Sequence, residues 1–63
     1  MKWQIIEIHT EGAIHRANYR VVGETLEMTT GFGEFKRPKG PFRAEIAARE
    51  LLRKLIKRSA QAA

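Results

Sequence analysis

The densest group of side chains that could do chemistry is a basic segment between positions 36 and 43. Lys36, Arg37 and Lys39 lie within four positions of one another, and Arg43 follows where a helix is expected to begin. Such side chains neutralise phosphates, and the backbone amides at a helix N-terminus favour the same ligand. The spacing predicts a phosphate-binding patch, in which four contacts with a duplex would give a salt slope of about −3.6. The alternative is a solvated basic loop.

A second basic pair lies nearer the N-terminus. Arg16 and Arg20 fall on the polar positions of a predicted strand, so both should lie on the open face of a sheet. A three-stranded sheet can place such side chains in a nucleic-acid groove. The alternative is an ion-paired strand, because Glu27 is expected to lie opposite Arg20.

Residues suited to catalysis or metal binding are few. His9 and His15 flank the first predicted turn, and a three-residue loop there would make them face each other. With Glu7 or Glu11 they could supply imidazole and carboxylate ligands, but a third well-fixed ligand is missing, so surface histidines are the alternative. The chain has no cysteine, and Ser59 has no partner for nucleophilic chemistry. We therefore predict a protein that is not an enzyme and that carries no metal or cofactor.

The pattern of apolar residues predicts the elements that position these side chains. Segments that are β-branched or alternate in polarity predict three strands, at 2–10, 14–22 and 25–30. The glycines and prolines of 31–41 predict a basic loop. Helical periodicity runs from Phe42 to about Ser59, Pro41 fits the first helical turn, and residues 60–63 should fray. The predicted fold is α+β, a three-stranded antiparallel sheet packed by one C-terminal helix (β-β-β-α).

The second predicted hairpin has a register that satisfies both of its faces. A two-residue Gly23–Glu24 loop, of the type II′ kind, pairs apolar residues on one face and unlike charges on the other. The predicted pairs are Val22–Thr25, Val21–Leu26, Arg20–Glu27, Tyr19–Met28 and Asn18–Thr29.

The first strand admits two registers. A three-residue loop would put Trp3 and Ile5 on the face of Tyr19. A four-residue loop would slip the register by one and turn Ile6 and Ile8 to that face instead. Either choice leaves apolar side chains on the open face, where they could form a partner surface.

The apolar helix positions form one stripe and leave two side chains over. The stripe expected to pack on the sheet consists of Ala44, Ala48, Leu51, Leu52 and Leu55. Phe42 and Ile46 lie outside the stripe. They are either covered by the 31–41 loop or form a dimer contact.

Composition limits the chain to one small domain, residues 1–63. Its net charge of +5 and sequence pI of about 10.3 favour anionic partners. No apolar run approaches the ~20 residues of a membrane span, and Glu7 and His9 interrupt any signal-peptide core. We therefore expect a cytoplasmic protein.

The run from Gly12 to Val21 carries a family resemblance. His15 stands three positions after the glycine and Tyr19 four positions later, which resembles the first hairpin of a double-stranded-RNA-binding domain. The Gly31–Phe32–Gly33 turn and the helical segment 47–55 are similar to that family's exit from its third strand and to its last helix. The family's first helix has no counterpart, and its lysine pair at the last helix falls on Gly40 and Pro41. The resemblance implies RNA contacts at His15, Lys36, Arg37, Lys39 and Arg43.

A second resemblance competes with the first. The order strand-strand-strand-helix, with Tyr19-Arg-Val and then Met28-Thr-Thr-Gly31, is similar to the arm-binding domains of tyrosine recombinases. That family lays its sheet on DNA.

These observations together predict a small, basic, non-catalytic nucleic-acid-binding domain that grips phosphates through the segment before the helix. Both RNA and DNA are open as ligands. The alternative is a protein-interaction or homodimerising domain, because Ile6, Ile8, Phe42 and Ile46 are more apolar side chains than so short a chain buries easily.

Overall fold

The computed structural model describes residues 2–61, which form one antiparallel sheet with a helix across one of its faces. The elements are β1 (Gln4–Thr10), β2 (Ala13–Val22), β3 (Thr25–Thr30), β4 (Gly33–Pro38) and α1 (Ala44–Gln61). The strands lie side by side in the order β1-β2-β3-β4. The α+β class, with an antiparallel sheet packed by a C-terminal helix, is confirmed, but the sheet has four strands instead of three.

The fourth strand lies within the segment 31–41, so the prediction of a loop there is wrong. Thr30 pairs with Gly33 across a two-residue turn, and Phe35 lies opposite Met28. The glycines shape the turn and do not prevent pairing, since Gly33 has a φ of 126° that favours glycine. After the turn, residue types alternate between the two faces as in any strand.

Pro38 ends β4 at a position where a proline costs the sheet no hydrogen bond. The Thr30–Gly33 pair flanks a two-residue turn and is therefore a hydrogen-bonded pair. Hydrogen-bonded and non-hydrogen-bonded pairs alternate along the ladder, so Thr25–Pro38, the sixth pair, is not hydrogen-bonded. The missing N–H of Pro38 therefore faces the free edge of an edge strand. A proline at that edge also discourages pairing with another chain.

The β2–β3 hairpin has the predicted register. Every predicted pair is present, from Asn18–Thr29 to Val22–Thr25. Gly23 takes a positive φ of 63° while Glu24 does not, which fits a type II′ turn with glycine first. The register is confirmed because both faces and the turn favour the same pairing.

The β1–β2 hairpin has neither of the two predicted loops. Its turn is the two-residue Glu11–Gly12, with Gly12 at a φ of 73°. Ile6 then lies opposite Ala17 and both are buried, as the four-residue loop would have required, while Ile5 points to the other face. The tight turn places Ile6 and Ile8 on the side of the helix and leaves Ile5 on the open face.

Helix α1 begins two residues later than predicted and ends later. The carbonyl of Arg43 accepts the N–H of Ala47 at 3.0 Å, which makes Arg43 the residue that caps α1. Pro41 accordingly lies in the turn before the helix and not in its first turn. The helix continues through Gln61, so Ala60 and Gln61 of the predicted frayed tail are helical in the structure; residues 62 and 63 lie outside the described residues.

The core lies between α1 and the inner face of the sheet, the face that carries Tyr19 and Met28. The predicted helix stripe is confirmed: Ala44 is half-buried, and the buried members are Ala48, Leu51, Leu52 and Leu55. The buried sheet residues are Ile6, Ala17, Tyr19, Leu26 and Met28. No helix among residues 2–61 is long and apolar enough to cross a membrane.

Candidate nucleic-acid interface

Alternation along β4 divides the predicted basic segment between the two faces of the sheet. Lys36 lies opposite Glu27, on the open face that points away from α1. Arg37 lies opposite the buried Leu26 and so belongs to the side of the helix. The segment therefore does not form one patch, because a strand sends successive side chains in opposite directions.

A groove of about 500 Å³ lies between the end of β4 and the first half of α1. It exists because α1 packs over β1, β2 and β3 and leaves β4 uncovered. Three cations line the groove, Arg37 and Lys39 from one wall and Lys54 from the helix, with Glu50 as the one carboxylate among the lining residues. Glu50 accepts a hydrogen bond from Arg53 on the outer side of the helix at 3.2 Å.

The floor of this groove is apolar and partly exposed. Phe42 and Ile46 line it beside the buried Leu26 and Leu51, with 58% and 47% of their surface accessible. The expectation that the preceding segment would cover Phe42 and Ile46 is wrong. That segment is paired as β4 and cannot fold back over them.

Lys39 is held at the entrance of the groove by the turn that precedes the helix. Its backbone N–H donates to the carbonyl of Glu24 at 2.8 Å, which ties the end of β4 to the β2–β3 turn. Its ammonium group donates to the carbonyl oxygens of Phe42 and Gly40. The charge of Lys39 is thereby fixed close to the start of α1.

The side of α1 next to this groove carries further cations. At about 100° per residue, Arg43, Lys54, Lys57 and Arg58 fall within about 100° of arc on one side of the helix. Arg43 and Lys54 are separated by about three turns, or roughly 16 Å along the axis. We call these four residues together with Arg37 and Lys39 the basic flank. None of the six forms an ion pair with another residue in the described range 2–61.

Sequence reasoning missed Lys54, Lys57 and Arg58 as members of this surface. Their positions near the C-terminal end of the helix are explained by the helix dipole alone, which favours cations there. What identifies them is their position around the helix axis. They share the side of the helix that carries Arg43, and the helix–sheet packing sets this side beside β4.

The open face carries the other predicted arginines and neutralises them. Arg16 donates to Glu7 at 3.0 Å, and Arg20 donates to Glu27 at 2.8 Å. Lys36 lies 4.0 Å from the second oxygen of Glu27. The alternative interpretation of an ion-paired strand therefore describes this face better than a row of free cations.

Arg20 is further enclosed by an aromatic ring. Its guanidinium lies 4.4 Å from the ring centre of Trp3, a cation–π contact that adds to the ion pair with Glu27. The side chain of Arg20 is consequently 34% exposed, against 73% for that of Arg16. Arg20 is mainly a structural residue of the open face.

His15 lies at the opposite end of the sheet from Arg37 and Lys39. It stacks on Phe32 of the β3–β4 turn, with ring centres 6.2 Å apart, and lies 3.3 Å from the hydroxyl of Thr10. Its partner in the ladder is Ile8, whereas His9 pairs with Ile14 and points to the opposite face. The two histidines therefore do not face each other, and within residues 2–61 no group of three metal-binding side chains comes together.

No protein-family model matches the chain, and comparisons with curated proteins and with solved structures find no significant match.

Proposed function

We propose that this chain is a small, non-catalytic nucleic-acid-binding domain that grips phosphates with its basic flank. The observation that supports the proposal is the separation of charge. Six cations that have no carboxylate partner among residues 2–61 lie along one side of α1 and the adjoining end of β4, whereas the cations of the open face are paired. Unpaired cations are the ones that can release counterions from a phosphate backbone.

The extent of the basic flank favours a chain of phosphates over a small anion. Arg37, Lys39 and Arg43 lie at one end of α1 and Lys54 about three turns further on, with Lys57 and Arg58 beyond it. A free phosphate could touch only two or three of these side chains at once. A polynucleotide offers a charge at every residue and can meet them all.

The proposed contacts are to the backbone and not to the bases. Arginine and lysine on a flank of this kind set the position of a duplex without reading its sequence. The open face, which the resemblance to arm-binding domains would make the reading surface, offers no surplus of positive charge. We therefore propose a domain with little sequence preference, and a cytoplasmic location where it meets nucleic acid.

The proposal keeps only part of the resemblance to double-stranded-RNA-binding domains. The basic start of the last helix is retained through Arg37, Lys39 and Arg43. The contact at His15 is not retained, because His15 lies at the opposite end of the sheet from Arg37 and Lys39 and stacks on Phe32. Duplex RNA and duplex DNA are both included as ligands.

A binding titration across salt concentration tests the proposal. Fluorescence anisotropy with labelled RNA and DNA duplexes should give a logarithmic slope of affinity against salt of about −3.6 if four cations contact phosphates. Undetectable binding to both duplexes at low salt, or an affinity independent of salt, would contradict the proposal.

Two double variants with the same loss of charge show which surface is used. Arg37→Gln with Lys54→Gln should reduce the steepness of the salt slope by about 1.8, because two phosphate contacts disappear. Arg16→Gln with Lys36→Gln removes the same charge from the open face and should leave the slope as it is. An equal change in both double variants would mean that net charge alone causes binding.

A further inference from the structure

The open face of the sheet carries apolar side chains that remain exposed in the fold. They lie on β1, on β2 and just before β1, and α1 is on the other side of the sheet. Ile5 is 70% exposed and Ile14 59%. The full set comprises Trp3, Ile5, Ile14 and Val22. Several large apolar side chains exposed on one face make that face a candidate interaction surface.

The charges on the same face balance. Alternation and register place three glutamates and three cations there, namely Glu7, Glu27, Glu34, Arg16, Arg20 and Lys36. Five of these six are already joined in ion pairs within the chain. The face therefore attracts neither a polyanion nor a strongly charged protein of either sign.

We propose that the open face is a homodimer interface and that its partner is the open face of a second copy. Two copies of a chain with a net charge of +5 repel each other in most orientations. The open face is the exception, since it brings no excess of one sign against itself. A two-fold axis through it also meets the requirement that such an interface be self-complementary.

The size of the face sets the strength of the dimer. Four strands about 4.8 Å apart and six to ten residues long, at about 3.3 Å each, give a face on the order of 400–600 Å². A stable interface of standard size takes about 800 Å² from each partner. The dimer is accordingly weak, and it forms at high protein concentration or when the copies are held together.

Dimerisation through the open face would leave both basic flanks outside. The two flanks would lie on opposite sides of a stacked pair of sheets, where neither is blocked. If the proposed nucleic-acid binding holds, a dimer presents two phosphate-binding surfaces, and the two together bind a long nucleic acid more tightly than one alone. The dimer itself does not depend on nucleic acid.

Sedimentation equilibrium without nucleic acid tests the dimer independently of the proposed function. The mass of the wild-type chain should rise from monomer toward dimer as concentration increases into the high micromolar range. The emission of Trp3, the one tryptophan of the chain, should shift to shorter wavelength over the same range because the second copy covers it. A monomeric mass at millimolar concentration would overturn the proposal.

A matched pair of variants identifies the surface. Ile5→Lys and Ile46→Lys make the same change at two exposed isoleucines, one on the open face and one in the groove beside the basic flank. Ile5→Lys should weaken self-association by about tenfold or more, as expected for a central apolar contact replaced by a charge. Ile46→Lys should leave it within about threefold of the wild type. The reverse result, loss with Ile46→Lys and none with Ile5→Lys, would assign the dimer to the groove and overturn the proposal.

Circular dichroism checks that the Ile5→Lys and Ile46→Lys variants are folded, so that a change in self-association is not caused by unfolding. Both isoleucines are largely exposed, so each variant should retain the wild-type spectrum. If Ile5→Lys alone were unfolded, Ile14→Lys replaces it, because Ile14 lies on the same face with 59% of its surface exposed. Dimerisation unchanged in a folded Ile14→Lys would then overturn the proposal.

Discussion

The two sides of the sheet differ in how their charges are used. Beside α1, the six cations of the basic flank have no carboxylate partner within residues 2–61, and Glu50 is the one carboxylate that lines the adjoining groove. On the open face, Arg16, Arg20 and Lys36 are matched by glutamates. The difference teaches that the net charge of +5 is a property of one side of the molecule, and binding proposals should follow that side.

The apolar side chains differ between the two sides as well. The inner face of the sheet buries its apolar residues against the helix, whereas the open face exposes Ile5 and Ile14. One side of the sheet therefore stabilises the fold, and the other is available to a partner. This division can be tested by changing equivalent residues on the two sides.

The largest expected effect comes from removing a core side chain. Leu52 is fully buried, so Leu52→Ala should lower the free energy of unfolding by about 2–5 kcal/mol or leave the chain unfolded. Ile5→Ala, on the open face, should change it by less than about 0.5 kcal/mol at a protein concentration where the chain is monomeric. Urea denaturation followed by circular dichroism measures both. An equal loss of unfolding free energy in the two variants would mean that Ile5 is buried in the monomer. It would contradict the distinction between a face that stabilises the fold and a face that is open to a partner.

A smaller effect is expected within the open face itself. Glu27 is the partner of both Arg20 and Lys36, and its side chain is only 16% exposed. Glu27→Gln should therefore cost about 1–3 kcal/mol of stability, because a half-buried arginine loses its counter-charge. Glu7→Gln removes the exposed pair with Arg16 and should cost less than about 1 kcal/mol. Similar costs in urea titrations of the two variants would show that the partly buried ion pairs of Glu27 stabilise the fold no more than the exposed pair of Glu7.

The sequence predicts the register of one hairpin and not of the other, and the difference lies in how well the residues of each turn fix the loop length. The β2–β3 hairpin was predictable to the residue, because Gly23 suits a type II′ turn and the pairs on both faces agree with it. The β1–β2 hairpin was not, because several loop lengths around Gly12 gave acceptable faces for its β-branched residues. In the fold, Ile6 packs in the core with the apolar stripe of the helix, and Ile5 is left exposed. Long-range packing of this kind is invisible to local patterns.

The prediction of a loop at 31–41 is the one error that affects both the fourth strand and the candidate site. Segment 31–41 has three glycines and two prolines, and this composition hides the strand Gly33–Pro38. Without that strand, Lys36 and Arg37 appear to belong to one loop patch, although they lie on opposite faces. The basic flank could be predicted only in part, because its cations on the helix become neighbours of Arg37 and Lys39 through tertiary packing.

Amide chemical-shift mapping on adding a nucleic-acid duplex tests the central claim most directly. At a protein concentration low enough to keep the chain monomeric, shifts should concentrate at Arg37, Lys39, Arg43 and Lys54 as duplex RNA or DNA is added. The indole N–H of Trp3, which reports on the open face, should stay in place. Shifts centred on Trp3, Arg16 and Arg20, with the basic flank unchanged, would contradict the account and identify the sheet as the nucleic-acid-binding surface.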